Sequence, residues 1–131
     1  MTSGIRIWQK KKKKNRRKKI KMINQRDIVL IYFPFSNGQR SKLRPVLVIS
    51  NDKYHKEFQD FIGIAITSNL NTRFHTIKIS NNNMETGILK QESLVKVDKI
   101  ASIEQSNIKI TIGRMKKDIF EIVKNEFLSL I

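Results

Sequence analysis

The sequence contains no cysteine. That excludes a disulfide framework and any thiolate zinc site, and it fits a reducing compartment. There are only two histidines, His55 and His75, and neither stands at a histidine-to-carboxylate spacing of the kind that ligates a metal. No metal and no cofactor is therefore expected. No apolar run approaches the roughly 18 residues of a membrane-spanning helix. The charged N-terminus lacks the apolar stretch of a signal peptide. The chain reads as cytoplasmic, with no membrane partner. No internal repeat is visible. Acidic residues are scarce, 11 against 27 lysines and arginines, for a formal net charge of +16.

That charge is unevenly placed. Residues 1–21 hold 11 basic residues, among them Lys10 to Lys14 and Arg16 to Lys19, and no acid. From Met22 onward 16 basic residues face 11 acidic ones, a net of +5. A block of like charge repels itself and has no apolar surface to bury, so residues 1–21 are expected to be a disordered basic extension. Counterion release would let it hold nucleic acid, although Trp8 is its one aromatic residue. A second reading is that Arg16-Arg17, encodable by AGG-AGG, is a ribosome-binding sequence read in frame, with Met22 as the true start. Either way the 131 residues amount to one folded domain, over residues 22–131.

Within it the pattern is mostly strand. Ile28 to Phe33 is a short β-rich apolar run closed by Pro34. Phe35 to Leu43 reads as a polar, basic loop with an Asn37-Gly38 turn. Pro45 to Ile49 is a second strand, with proline tolerated at its first position. Asn51 to Gln59 is a connector with room for a helical turn. Phe61 to Ile66 is a third strand, ending at Thr67. His75 to Ile79 alternates with period two, and Asn81 to Asn83 is a turn. Ser93 to Ile100, continuing to Ile103, is a fifth strand. Ile108, Ile110 and Ile112 mark a sixth, which Gly113 breaks. From Lys116 to Ile131 the period changes: Ile119, Ile122, Val123, Phe127 and Leu130 recur at helical spacing. Five to six short strands and one C-terminal amphipathic helix predict a mainly β (α+β) fold, a small closed or half-closed barrel.

Three segments, in order, resemble the MazF/PemK family of toxins. They are Arg26-Asp27-Ile28-Val29-Leu30 with Phe33-Pro34-Phe35-Ser36, then Arg44-Pro45-Val46-Leu47-Val48-Ile49-Ser50-Asn51-Asp52, then Ile64-Ala65-Ile66-Thr67-Ser68. A weaker match runs through Val95-Lys96-Val97-Asp98-Lys99-Ile100. The resemblance implies an SH3-like barrel, a homodimer, a MazE/PemI-like antitoxin partner, and metal-independent, sequence-selective cleavage of single-stranded RNA. By it Arg44 matches the family's catalytic arginine and Thr67 its catalytic threonine. One branch of the family also uses an Arg-x-Asp pair, and here that position reads Lys96-Val97-Asp98. Lysine keeps the charge but lacks the planar fork. Where the family often has Arg-Thr-Ile-Asp, this chain has Ala101-Ser102-Ile103-Glu104.

The same residues suit the chemistry. Cleavage without a metal needs a proton acceptor for the ribose 2′-hydroxyl, a stabiliser for charge on the phosphorane, and a proton for the leaving 5′-oxygen. The products are a 2′,3′-cyclic phosphate and a 5′-hydroxyl. Arg44 can grip two phosphate oxygens at once, and Pro45 after it restricts its backbone to extended conformations. Thr67 ends an apolar strand, where its hydroxyl can donate to phosphate; apart from the resemblance, ordinary β-propensity or a local turn bond is the better account of it. Phe35, Ser36, Lys42, Ser68, Asn69, Lys96 and Asp98 are the candidate RNA-binding residues around them, Phe35 by stacking on a base. Nothing in the sequence brings His55 and His75 together as an acid–base pair. Two other classes use such a barrel: a non-catalytic toxin that poisons gyrase, which relies on a C-terminal tryptophan absent here, and a non-catalytic RNA-binding module. Fold alone does not decide among them.

Overall fold

A computed structural model describes residues 22–33, 42–71 and 74–131. The basic extension 1–21, the Asn37-Gly38 turn, and Phe35 and Ser36 lie outside the described residues. Strands are β1 (Asp27–Phe33), β2 (Lys42–Val48), β3 (Asp60–Thr67), β4 (Thr76–Ile79), β5 (Met84–Gly87), β6 (Ser93–Glu104) and β7 (Ile108–Met115). Helix α1 (Asp52–Glu57) joins β2 to β3, and helix α2 (Lys117–Leu128) ends the chain. All strands belong to one antiparallel sheet in the order β4-β6-β3-β2-β1-β7-β5. The sheet curls into a half-barrel. Its ladders are interrupted by register shifts in β1–β7, β3–β6 and β5–β7, and such bulges bend and twist a strand.

Among the described residues the sheet has seven strands where the sequence pattern predicts five or six. The addition is β5, Met84–Gly87, which has one apolar residue and no alternation to reveal it. It lies against β7, where Gly87 pairs with Gly113. A Cβ on Gly113 would stand 2.2 Å from the carbonyl oxygen of Thr86, and one on Gly87 2.1 Å from that of Ile112. Gly87 also has φ +78°, a region that glycine enters without strain. Gly113 therefore does not break the sixth apolar run: β7 passes through it to Met115.

Strands β1 to β3 are buried on both faces, which is why they read as continuous apolar runs. One face presents Ile28, Leu47, Ile64 and Ile66 to α2, whose Phe120 and Val123 complete the core. The other presents Val29, Ile31, Val46, Val48 and Phe61, joined by Ile23 and Ile103. Burial of each large aliphatic side chain contributes about 1.5–3 kcal/mol. Among the described residues no helix is long and apolar enough to cross a membrane.

Polar ties fix the start of β1. Asp27 is buried; its carboxylate accepts from the backbone N–H of Asn24 at 2.9 Å and from Arg114 Nε at 3.1 Å. Arg26, at φ +78°, donates to the Met115 carbonyl and to Glu85, holding the ends of β7 and β5. The Arg26-Asp27 pair thus has a structural task.

Candidate functional site

The second face of the sheet opens into a groove of about 670 Å³. Its placement follows from strand alternation. On β2, Arg44 shares a side with Val46 and Val48; on β3, Thr67 shares a side with Ala65, Gly63 and Phe61. Val46 pairs with Ala65 across the two strands. Arg44 and Thr67 each lie two residues beyond that pair, so the ladder brings both to the same end of the same face, and both line the groove.

Strand β6 supplies the third wall. Ile66 pairs with Val95 and Ile64 with Ile100. Between those pairs β3 advances two residues and β6 advances five, so β6 carries three extra residues there. An odd insertion reverses which residues face which side. Before the bulge Val95 and Val97 enter the helix-covered core; after it Ile103 enters the other one. Lys96 and Asp98, alternating with buried Val97, therefore join Ala101 and Ile103 along the groove, and Lys99 within the bulge lines it as well. Lys99 Nζ lies 3.9 Å from Asp98 Oδ2.

The floor is apolar, made by Ile31, Val46, Ala65 and Ile103, and the rim is charged. Among the described lining residues Arg44, Lys96 and Lys99 outnumber one carboxylate, Asp98. Thr67 Oγ1 accepts the backbone N–H of Asn69 at 3.1 Å. The local turn bond foreseen for this threonine is present, and a hydroxyl oxygen that accepts one bond retains its own hydrogen for donation. Asn69 Oδ1 in turn accepts the N–H of Asn71 at 3.0 Å, so two successive side-chain turns fix the exit from β3.

The structure thus brings together Arg44, Thr67, Lys96 and Asp98. It does not place Lys42, Ser68 or Asn69 among the residues lining the groove. Lys42 is exposed at the start of β2, on the Arg44 side, and Ser68 and Asn69 are exposed just beyond β3. Lys99 has no counterpart among the residues singled out from the sequence, because regular alternation from Val97 would turn it inward.

The two histidines have separate tasks. His55 is buried in α1 with Nε2 2.6 Å from Ser50 Oγ, and that oxygen accepts the N–H of Ile62 at 2.9 Å. His75 Nδ1 lies 3.4 Å from Glu126 of α2. Asn51 caps α1 by accepting from Tyr54 N at 2.9 Å, and Asp52 accepts from Gln25 N at 2.8 Å. The Ser50-Asn51-Asp52 run is therefore a clip beneath β1 and β3. Among the described residues no three His, Asp or Glu side chains gather as a metal site requires.

Comparison with known proteins bears on the family and the fold. Residues 24–131 match the family model described as the PemK-like, MazF-like toxin of type II toxin–antitoxin systems. No curated protein matches the chain. Among solved structures, the MazE–MazF complex of Deinococcus radiodurans has a TM-score of 0.71 at 16% identity, covering 84% of this chain and 96% of that one. The Mycobacterium tuberculosis toxin MazF-mt6 has 0.64 at 17%, covering 79% and 94%. A mycobacterial endoribonuclease in complex with its cognate antitoxin has 0.65 at 12%, covering 82% and 92%. At these identities the likeness is one of fold.

Proposed function

The chain belongs to the PemK-like, MazF-like toxins of type II toxin–antitoxin systems, and on that premise we propose that it is a metal-independent endoribonuclease cutting single-stranded RNA. The observation that carries the reading is the convergence of Arg44 and Thr67 at one end of a basic groove with an apolar floor. Polyanionic RNA is attracted by the excess of cations, and unstacked bases find apolar surface below the charged rim.

In the proposed reaction the ribose 2′-oxygen bonds to its neighbouring phosphorus as the bond from phosphorus to the 5′-oxygen breaks. Asp98, the carboxylate of the groove, accepts the 2′-hydroxyl proton. The Arg44 guanidinium spans two phosphate oxygens and stabilises charge as the phosphorane forms. Thr67 donates its hydroxyl hydrogen to a phosphate oxygen and fixes the in-line geometry. The departing 5′-oxygen, hydrogen-bonded by Arg44, takes its proton from solvent water, and Asp98 returns the 2′-proton to solvent, so no proton is gained or lost overall. Water later opens nothing essential: the products are a 2′,3′-cyclic phosphate and a 5′-hydroxyl.

In the cytoplasm such an enzyme must be silenced. A cognate antitoxin is proposed as partner, as in the complexes from Deinococcus and mycobacteria, and the active form is proposed to be a homodimer. An acidic segment that orders on binding suits a basic groove. The test is purified protein, a defined single-stranded RNA and excess chelator, with fragment ends identified chemically. Cyclic phosphate and 5′-hydroxyl ends are expected. Intact RNA across a panel covering all dinucleotide steps would overturn the reading.

A further inference from the structure

We infer that Lys99 anchors a second phosphate of the RNA, next to the one held at Arg44 and Thr67. The inference rests on the reading of the groove as an RNA site and extends it to the path of the strand. The bulge in β6 brings Lys99 to the groove wall although regular alternation would turn it toward the core. Its neighbour Ile100 pairs with Ile64, three residues from Thr67 along β3. At about 3.3 Å per residue that is roughly 10 Å along the groove. One nucleotide step, together with the reach of a lysine side chain, spans such a distance. Between the two ends lies apolar floor, Val46, Ala65 and Ile103, on which the intervening base can rest.

The side chain is available for this. Lys99 is 59% exposed, and its ion pair with Asp98, at 3.9 Å, is a loose surface contact. Such pairs contribute little to stability, so exchanging the carboxylate for a phosphate costs little. The exchange also removes a cation from Asp98 and leaves that carboxylate to the ribose. A lysine acting as a point charge on a flanking phosphate supplies affinity and takes no part in bond making.

The experiment is a titration of the full chain with an oligonucleotide made uncleavable by a 2′-deoxyribose at the scissile position, over a range of salt. Lys99→Gln is compared with wild type and with Lys99→Arg. Each phosphate contact on a single strand contributes about 0.7 to the slope of log affinity against log salt. Lys99→Gln is expected to lower that slope by about 0.7 and to weaken binding about fourfold at 0.15 M salt, shrinking below twofold near 0.5 M. Lys99→Arg is expected to restore both. In cleavage assays KM rises and kcat holds. A neutral methylphosphonate one linkage to either side of the scissile position should weaken wild-type binding at one of the two positions and have no effect there on Lys99→Gln. An unchanged salt slope in a folded Lys99→Gln variant, or a fall in kcat with KM unchanged, would overturn the inference. If wild type binds the oligonucleotide but cuts no RNA, the nuclease reading fails while the Lys99 result still stands on binding.

Discussion

Arg44 and Thr67 sit on adjacent strands, each two residues past the Val46–Ala65 pair, and so face the same groove without being near in sequence. Each stands in a strand and not in a loop, Arg44 opposite Ile31 of β1 and Thr67 opposite Leu94 of β6. A site built in this way is preorganised, and its side chains should respond to substitution as fixed donors do.

Arg44→Ala should therefore reduce single-turnover cleavage by at least about 10²–10³. Arg44→Lys should be nearly as damaging, because an ammonium cannot reproduce the fork. Thr67→Ser should retain more activity than Thr67→Val, since only the hydroxyl is wanted. Circular dichroism should show each variant folded. A folded Arg44→Ala variant that cuts within about threefold of wild type, short of one tenfold step in rate, would remove Arg44 from the site.

Gly63 is the tight point beneath that site. A Cβ there would stand 2.3 Å from Val46 Cγ1, 3.1 Å from Phe61 Cε2 and 3.3 Å from Ile103 Cδ1. Val46 and Phe61 are buried, and valine is stiff about χ1. Gly63→Ala should destabilise the domain by about 1–3 kcal/mol through overpacking. Urea unfolding measures it; an unchanged midpoint would show that the second face yields more readily than its packing implies.

The buried Asp27 carboxylate depends on a partly exposed partner. Arg114→Met removes the Nε donor and keeps the apolar stem. The loss should be about 1–3 kcal/mol, visible as a lower denaturation midpoint. Asp27→Asn in the Arg114→Met background should recover part of it, because the amide no longer buries a charge.

Alkaline stability has a named source. The Tyr54 phenol donates to Asp60 Oδ1 at 3.2 Å. Burial first, then that hydrogen bond and the carboxylate's charge, raise its pKa above the ordinary value of about 10. Folding thus favours the protonated phenol. Its contribution is fully present below the unfolded pKa and is lost as pH rises through the folded one. Tyr54→Phe should lower stability modestly at neutral pH, where the hydrogen bond to Asp60 is lost, and should flatten the fall in stability above about pH 10. An identical alkaline profile in the two proteins would assign the fall to other groups.

Much of this was legible in the sequence wherever a strand is buried on both faces or alternates cleanly. Ile28 to Ile31, Val46 to Val48 and Phe61 to Ile66 are apolar because two cores claim them, and α2 shows its stripe because one face meets the sheet. Strand β5 was not legible: Glu85, Thr86 and Gly87 are all exposed, and the strand exists because two glycines let backbones approach. Arg44 and Thr67 stood out through family-like segments. Their shared face followed only from register. Lys99 was hidden for a sharper reason. A period-two pattern assumes an uninterrupted ladder, and three extra residues invert it.

Those same three residues make β6 a strand with slack in it. Leu94 and Val95 are locked to β3 and β4 on one side, and Ile100 to Glu104 to β3 on the other. Lys96 still pairs with Thr76 of β4, and Val97, whose N–H bonds the His75 carbonyl, enters the core, which leaves Asp98 and Lys99 between the two paired segments. Charge and size at Lys99 can change without shifting the register of either flank. A designer wishing to alter which RNA the groove accepts would begin in this stretch, where selectivity and folding answer to different residues.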